Sequence, residues 1–433
     1  MKIMDCLGRH RCLVGASIFL IALILITGTV GCGQPGPSAV TFADPNLEAA
    51  IREAIGKPQD LIYPSDLESL TYLSAGYDIA DLAGLEHCTS LTELVLYETQ
   101  ISDISPLANL TSLTDLNLSS DQISDISPLA NLTGLTHLSL TSDQISDVSP
   151  LANLSSLTYL YLSSDQISDI SPVASLTSLT DLRLWYNQIS DVSPLTNLTK
   201  LTQLLLDGNL ITDIAPLANL ISLTSLDLSN NLISDISPLA DLTSLTYLGL
   251  DYDQISDISP LASLASLTTL YISGNQISDI SPLANLTSLT DLGLCINQLT
   301  SVSPLANLTA LTRLDLHSNQ ISDVSPLANL INLEFLRLEH NQISDISSVA
   351  NLIGLAILWL EDNQISDISP LADLTSLTDL DLPSNQISDI SPLVDNEGLS
   401  EGDYVDLSDN PLSSDSIDIY IAELEARGVT VYY

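Results

Sequence analysis

The 433-residue chain carries 54 acidic and 10 basic side chains, for a formal net charge of −44. With 45% hydrophobic residues it holds enough apolar material for a core, which excludes a disordered acidic tail. Charge of that sign repels phosphate, which excludes nucleic acid as a partner and makes anionic membranes poor docking surfaces.

Residues 1–31 read as a signal peptide. Lys2, Arg9 and Arg11 precede an uncharged run from Leu13 to Gly31 that is apolar from Ile18 to Ile26, the order of a basic n-region and an apolar h-region. Residues 32–41 begin with Cys32 and continue as a short Gly/Pro tether. Thr29-Val30-Gly31-Cys32 resembles a bacterial lipobox, which implies lipidation of Cys32. An uncleaved anchor and free secretion remain open beside that reading. All three place the rest of the chain outside the cytoplasm, and membrane contact then runs only through the N-terminal lipid or anchor. Cys6 and Cys12 fall in the signal, and Cys88 and Cys295 stand more than nine repeats apart, so no disulfide is expected.

Residues 42–77 form a helical N-terminal cap. Asp44-Pro45 opens an amphipathic helix, Leu47, Ile51 and Ile55 recur at helical spacing, and Gly56 closes it.

From 78 to 410 one 22-residue unit repeats, with fourteen full copies. Gln-Ile-Ser-Asp recurs with Gln at 100, 122, 144, 166, 254, 276, 320, 342, 364 and 386. The unit that starts Leu113-Thr-Asp-Leu116-Asn-Leu118 fits the leucine-rich-repeat pattern L-x-x-L-x-L-x-x-N-x-L. Leu116 and Leu118 alternate with Asp115 and Asn117, so each strand points two leucines inward and polar residues outward. Stacked strands make a parallel sheet. The turn position after each strand holds nine Asn, four Asp and one Thr, and a buried amide there can satisfy the backbone of its own coil and its neighbour. Asp121, Asp143, Asp165 and Asp253 lack the donor. Ser-Pro then opens a short helical turn, with Ser expected as its cap, and 13 of the 20 prolines stand there. A ladder of Asp from Asp103 to Asp389, broken at Ser301, either caps these turns or gathers cations.

Residues 411–433 form a C-terminal cap: a helix from Ser416 to Arg427 with Ile417, Tyr420, Ile421 and Leu424 on one face, then a strand from Val429. Both ends of the solenoid are thus covered.

These motifs resemble the internalin-type class of bacterial leucine-rich-repeat proteins, through Gln-Ile-Ser-Asp-Ile-Ser-Pro-Leu, the preceding Asn-Leu-Thr-Ser-Leu and the N-terminal helix. The resemblance covers residues 42–433. It implies a solenoid of the α/β horseshoe class, with a parallel β-sheet on the concave face and a 3-10 or irregular convex face. It also implies surface display and binding on the concave sheet. It carries over no receptor. No Leu-Pro-x-Thr-Gly motif stands in the sequence, so a host-invasion role is not implied.

Departures from the repeat locate the ligand-binding candidates. Tyr159, Tyr161, Arg183, Trp185 and Tyr186 fall at concave positions of adjacent strands, with Tyr247, Tyr252 and Tyr271 further along. Arg313, His317, Phe335, Arg337, His340, Ile357 and Trp359 form a second group. Arg183 shares a column with Tyr161, and Arg337 with Trp359, one strand spacing apart and within cation–π reach. Aromatic and arginine side chains on a rigid sheet are the stuff of binding hot spots. His317, His340, Glu339 and Asp315 sit on neighbouring strands, but no nucleophile motif, phosphate loop or metal-ligand spacing accompanies them. The expectation is therefore a monomeric, non-catalytic protein without cofactor or metal, which binds a protein or glycan ligand. The other reading is a passive spacer of the cell envelope.

Overall fold

The structure is a computed structural model that describes residues 38–433, apart from 120–121 and 142–143. The signal peptide and Cys32 lie outside the described residues, as do Asp121 and Asp143. Among those described, seventeen strands run in chain order from Tyr72–Gly76 to Thr430–Tyr432, each paired in parallel with the next. The register is unbroken: Leu116 faces Leu138, and Leu138 faces Leu160. This is the leucine-rich-repeat horseshoe, and its sheet already begins inside the segment read as the N-terminal cap.

Each repeat contributes seven buried apolar residues, for example Leu135, Leu138, Leu140, Ile145, Val148, Leu151 and Leu154. Two come from the strand; the rest come from the loop and the convex turn. Because every repeat buries the same set, the core is one continuous column in which each layer is dry only when its neighbours are present. The convex side consists of 3-10 turns such as Ser127–Asn131 and Ser149–Asn153, since Ser-Pro-Leu-Ala-Asn leaves room for one turn only.

Two polar ladders hold the coils in register. Asn187 donates to the carbonyls of Leu162 (2.8 Å) and Leu184 (3.1 Å) while its Oδ1 accepts from Ile167 N–H (3.0 Å), and the pattern repeats at Asn209 and Asn231. Asp253 keeps only the acceptor half, from Ile233 N–H at 2.9 Å. Its Oδ2 is buried without a partner among the described residues, and burial above all pushes the carboxyl up to about 7. The second ladder was not foreseen. Thr114, Thr136, Thr158 and their equivalents each donate Oγ1 to the Thr carbonyl one repeat earlier.

The Asp ladder caps the turns. Asp125 Oδ1 accepts from Ser127 N–H at 2.8 Å, as Asp103, Asp147 and Asp169 do in their own repeats, and Ser301 substitutes with its hydroxyl. Ser does not serve as the cap. The residue before it, Ile126, occupies the cap position with no side-chain bond, because the Asp carboxylate reaches the N–H two residues ahead first.

At the N-terminal end the helix Pro45–Ile55 is capped by Asp44, closed by Gly56 at φ 67°, and buries Leu47 and Ile51. Asp44 also accepts from Ala80 N–H at 2.8 Å, which ties the helix start to the first repeat. At the other end Ser416–Tyr420 is a π-helical turn that runs into the α-helix Ile421–Ala426. Ile421 and Leu424 are buried and Tyr420 packs against them, but Ile417 is exposed. The wider π turn carries Ile417 off the face that α-helical spacing assigned to it.

Candidate ligand-binding surface

Strand register sorts the outward side chains into columns. One column runs Asp115, His137, Tyr159, Asp181, Gln203, Ser225, Tyr247. Its neighbour runs Asn117, Ser139, Tyr161, Arg183, Leu205, Asp227, Gly249, and further along Gly293, Asp315, Arg337, Trp359. Neighbours within a column stand about 4.8 Å apart.

In the first group the Arg183 guanidinium lies over the Tyr161 ring at 4.4 Å and 5.9 Å from the Trp185 ring. It also reaches Asp181 (3.2 Å) and Gln203 (3.0 Å), and the Tyr161 hydroxyl donates to the same Asp181. Tyr159 stacks on His137, with centroids 4.3 Å apart and planes within 11°. His137 in turn meets Asp115 at 3.0 Å, so it extends this group by one repeat.

In the second group Arg313 covers the Phe335 ring at 4.2 Å and Arg337 the Trp359 ring at 4.8 Å. Phe335 and Trp359 meet edge to face, 5.8 Å apart, with the half-buried Ile357 beside Phe335 in its column. Arg337 bridges Asp315 (3.1 Å) and Glu339 (2.9 Å), and Trp359 Nε1 donates to Asp379 (3.0 Å). His317 Nδ1 lies 2.7 Å from Asp315. That hydrogen bond, followed by one to Cys295, holds His317 up to about 10. Burial pushes the Asp315 carboxyl up, but His317 and Arg337 outweigh it and its pKa is lowered.

The tyrosines placed further along do not all stay with the first group. Tyr247 bonds Asp227 (2.9 Å) and meets Tyr271 edge-on at 6.0 Å. Tyr271, bonded to Asp291 (2.9 Å), and Tyr252 line a cavity of about 250 Å³ with Arg313, Phe335, Arg337 and Asp315. Gly293 makes that cavity, because it removes one side chain from the column between Tyr271 and Asp315. A second hollow, about 230 Å³, lies among His137, Tyr159, Tyr161 and Asn117.

Tyr186, Tyr252 and His340 occupy a rim column in which the backbone turns left-handed, with φ of 54–55°. His340 therefore leaves the second group and pairs with Asp362 at 3.1 Å. Tyr186 and Tyr252 remain well exposed, each seated over a glycine one repeat on, Gly208 and Gly274. Those glycine seats, the acidic partners of the arginines and Cys295 beside His317 are the features sequence reasoning missed. The glycine seats, Asp291 and Asp315 with their arginines, and Cys295 with His317 stand one period apart in the sequence, whereas Asp181 and Glu339 lie two residues from theirs.

The family model "Leucine Rich repeats (2 copies)" matches residues 89–131, 133–175, 177–219, 221–263, 265–307, 309–351 and 353–395. That defines the class: a leucine-rich-repeat protein. The chain belongs to this family, and within it to the internalin-type bacterial proteins. The crystal structure of an internalin, InlF, from Listeria monocytogenes is 40% identical over 80% of this chain and 96% of that one, with a TM-score of 0.66. A leucine-rich-repeat protein from Leptospira interrogans has the same fold at 23% identity (TM-score 0.78, 86% and 97% coverage). So has the functional domain of InlJ from Listeria monocytogenes, at 24% identity (TM-score 0.68, 81% and 83%). No curated protein matches.

Proposed function

We propose that this chain is an exported surface protein that captures a protein ligand on its concave sheet without catalysing a reaction. The observation that carries the reading is the pair of arginine–aromatic clusters, Arg183 with Tyr161 and Trp185, and Arg337 with Trp359. In an array with only four basic residues between 78 and 410, three arginines stand on one face, each against an aromatic ring. Arginine and tryptophan held by neighbours lose little entropy on binding and supply most of the energy at hot spots. The hollows are small and open, and the sheet is long, which suits an extended polypeptide surface better than one small molecule.

Asp207, Asp227, Asp251, Asp291, Asp315 and Glu339 surround the clusters, so the ligand presents a basic patch that these acids steer. The internalin-type resemblance implies surface display, and among the described residues no helix is long and apolar enough to cross a membrane. Display then rests on the N-terminal segment, with Cys32 as the lipidated residue. If Cys32→Ala leaves membrane association and mass unchanged, the lipid anchor is wrong.

The test is capture by the detergent-solubilised chain on surface-protein and glycan arrays, beside the Trp185→Ala/Trp359→Ala double variant. Binding to protein features that disappears in a double variant of unchanged melting temperature supports the proposal. Signal confined to glycans replaces the ligand class, and no signal from the wild type leaves the envelope-spacer reading in its place.

A further inference from the structure

We propose that Cys295, Asp315 and His317 form a binding site for one zinc ion at the edge of the second cluster. Cys295 and His317 are one period apart and sit on adjacent coils, with Ile296 N–H bonded to His317 O at 2.9 Å. Asp315 and His317 flank the inward Leu316, so both side chains leave the strand on the concave side. One donor atom from each of the three lies within 4.8 Å of the others. Zinc at 2.0–2.3 Å from nitrogen, oxygen and sulfur needs donors about 3.3–3.8 Å apart, a distance that small side-chain rotations reach here.

The donor set selects the metal. A thiolate and an imidazole exclude calcium and magnesium, which take oxygen, and one carboxylate with them is a borderline set suited to zinc. None of the three positions is required by the fold. In the column that holds Cys295 and His317, other repeats carry Ser229, Asp251, Ser273 and Glu361. A cysteine and a histidine meeting there is a departure confined to these two coils, in a chain with five of each.

A separate observation lies one coil further on. Glu339, next after His317 in that column, is buried, and its Oε2 has no partner among the described residues. A buried carboxylate oxygen left unmatched is costly, and a cation beside it removes the cost. Three protein donors leave a fourth position to a group on the ligand. That position opens on the 250 Å³ cavity, which Cys295 and Asp315 also line. The site thus adds a chemical anchor to the binding face and does not depend on which ligand the face takes.

Titration of the full-length chain with Co2+ as a spectroscopic stand-in, and with Zn2+ against a chromophoric chelator, tests the assignment. The expected result is one equivalent bound with a thiolate-to-cobalt charge-transfer band. That band disappears in Cys295→Ser, and zinc affinity falls at least tenfold in Cys295→Ser and in His317→Gln. Cys88→Ala, which is buried far away, changes neither. Circular dichroism of each metal-free variant separates lost ligation from lost folding, and His317→Gln stands in should Cys295→Ser unfold. A cobalt spectrum without the thiolate band, or equal zinc affinity in wild type and both variants, overturns the site. Neither outcome bears on ligand capture through Trp185 and Trp359, which the arrays read separately.

Discussion

Gly208 is the seat of Tyr186: a Cβ built on this glycine would stand 2.6 Å from Tyr186 Cδ1, so the ring lies flat on the bare backbone of the next repeat. Tyr252 and Gly274 repeat the arrangement three coils later. The backbone of both glycines is left-handed, at φ +69° and +66°. Gly208→Ala therefore meets two penalties, ~1–2 kcal/mol of left-handed strain and a collision with the ring. Gly56 has nearly the same φ, +67°, with nothing near its Cβ, and Gly56→Ala isolates the first penalty. Urea unfolding should show the Gly208 variant losing about 1 kcal/mol more than the Gly56 variant, by the overpacking cost. Equal losses would mean that the ring is not seated.

Asp253 is an acid where the ladder wants an amide. Its pKa is raised to about 7 from 3.8, so the folded state binds its proton more tightly than the unfolded chain. The stability it contributes is complete below about pH 4 and is lost as pH rises through 7. Asp207 and Asp381, each raised to about 6 by burial and then by neighbouring acids, act in the same direction. Asp253→Asn supplies the missing donor and should stabilise the protein by ~2 kcal/mol at pH 8 and by much less at pH 5. Asn209→Asp, which gives up bonds to Leu184 and Leu206, should do the reverse. Urea midpoints at the two pH values decide it, and a pH-independent effect of Asp253→Asn would sink the explanation.

Arg337 joins Asp315, Glu339 and Trp359. Removing it leaves Glu339 buried with both oxygens uncompensated. The loss for Arg337→Ala should be ~2 kcal/mol, below the 3–5 kcal/mol of a fully buried pair because the guanidinium is partly exposed. Adding Glu339→Gln should recover more than half of it. A thermodynamic cycle of the two single variants and the double variant measures the coupling, and strict additivity would show the pair to be independent.

Asp44 fastens the N-terminal helix with bonds from Asn46 (2.8 Å), Leu47 (3.2 Å) and Ala80 (2.8 Å). Burial pushes its carboxyl up, but these N–H donors outweigh that and hold the pKa below 3.8. A depressed acid contributes stability above its unfolded pKa and loses it as pH falls, here below about 4. Asp44→Ala should cost ~1–2 kcal/mol at pH 7 and little at pH 2, and it should speed amide exchange in residues 45–55 before the rest of the array. Uniform exchange along the chain would show that the helix is not a separate lid.

The sequence by itself determined the fold. A 22-residue period admits one solution, in which each coil buries the same leucines against the next, and fourteen repetitions leave no local ambiguity. Column membership was equally legible, since residues one period apart must be neighbours, and that is how Arg183 and Tyr161 were paired correctly. What the period cannot express is direction and depth. Ser looked like the turn cap, but the Asp two residues earlier reaches the N–H first. His340 shares a face with His317 by position, and the left-handed backbone turns it to the rim. Tyr271 looked like part of the first cluster until Gly249 and Gly293 on either side left its ring free to border the cavity beside Arg313. Cys295 stands one period before His317 in the sequence, but a lone thiol matters only through the donor distances to His317 and Asp315 that the stacked coils set. Those outcomes depend on side-chain volume and backbone angle, which only the stacked coils decide.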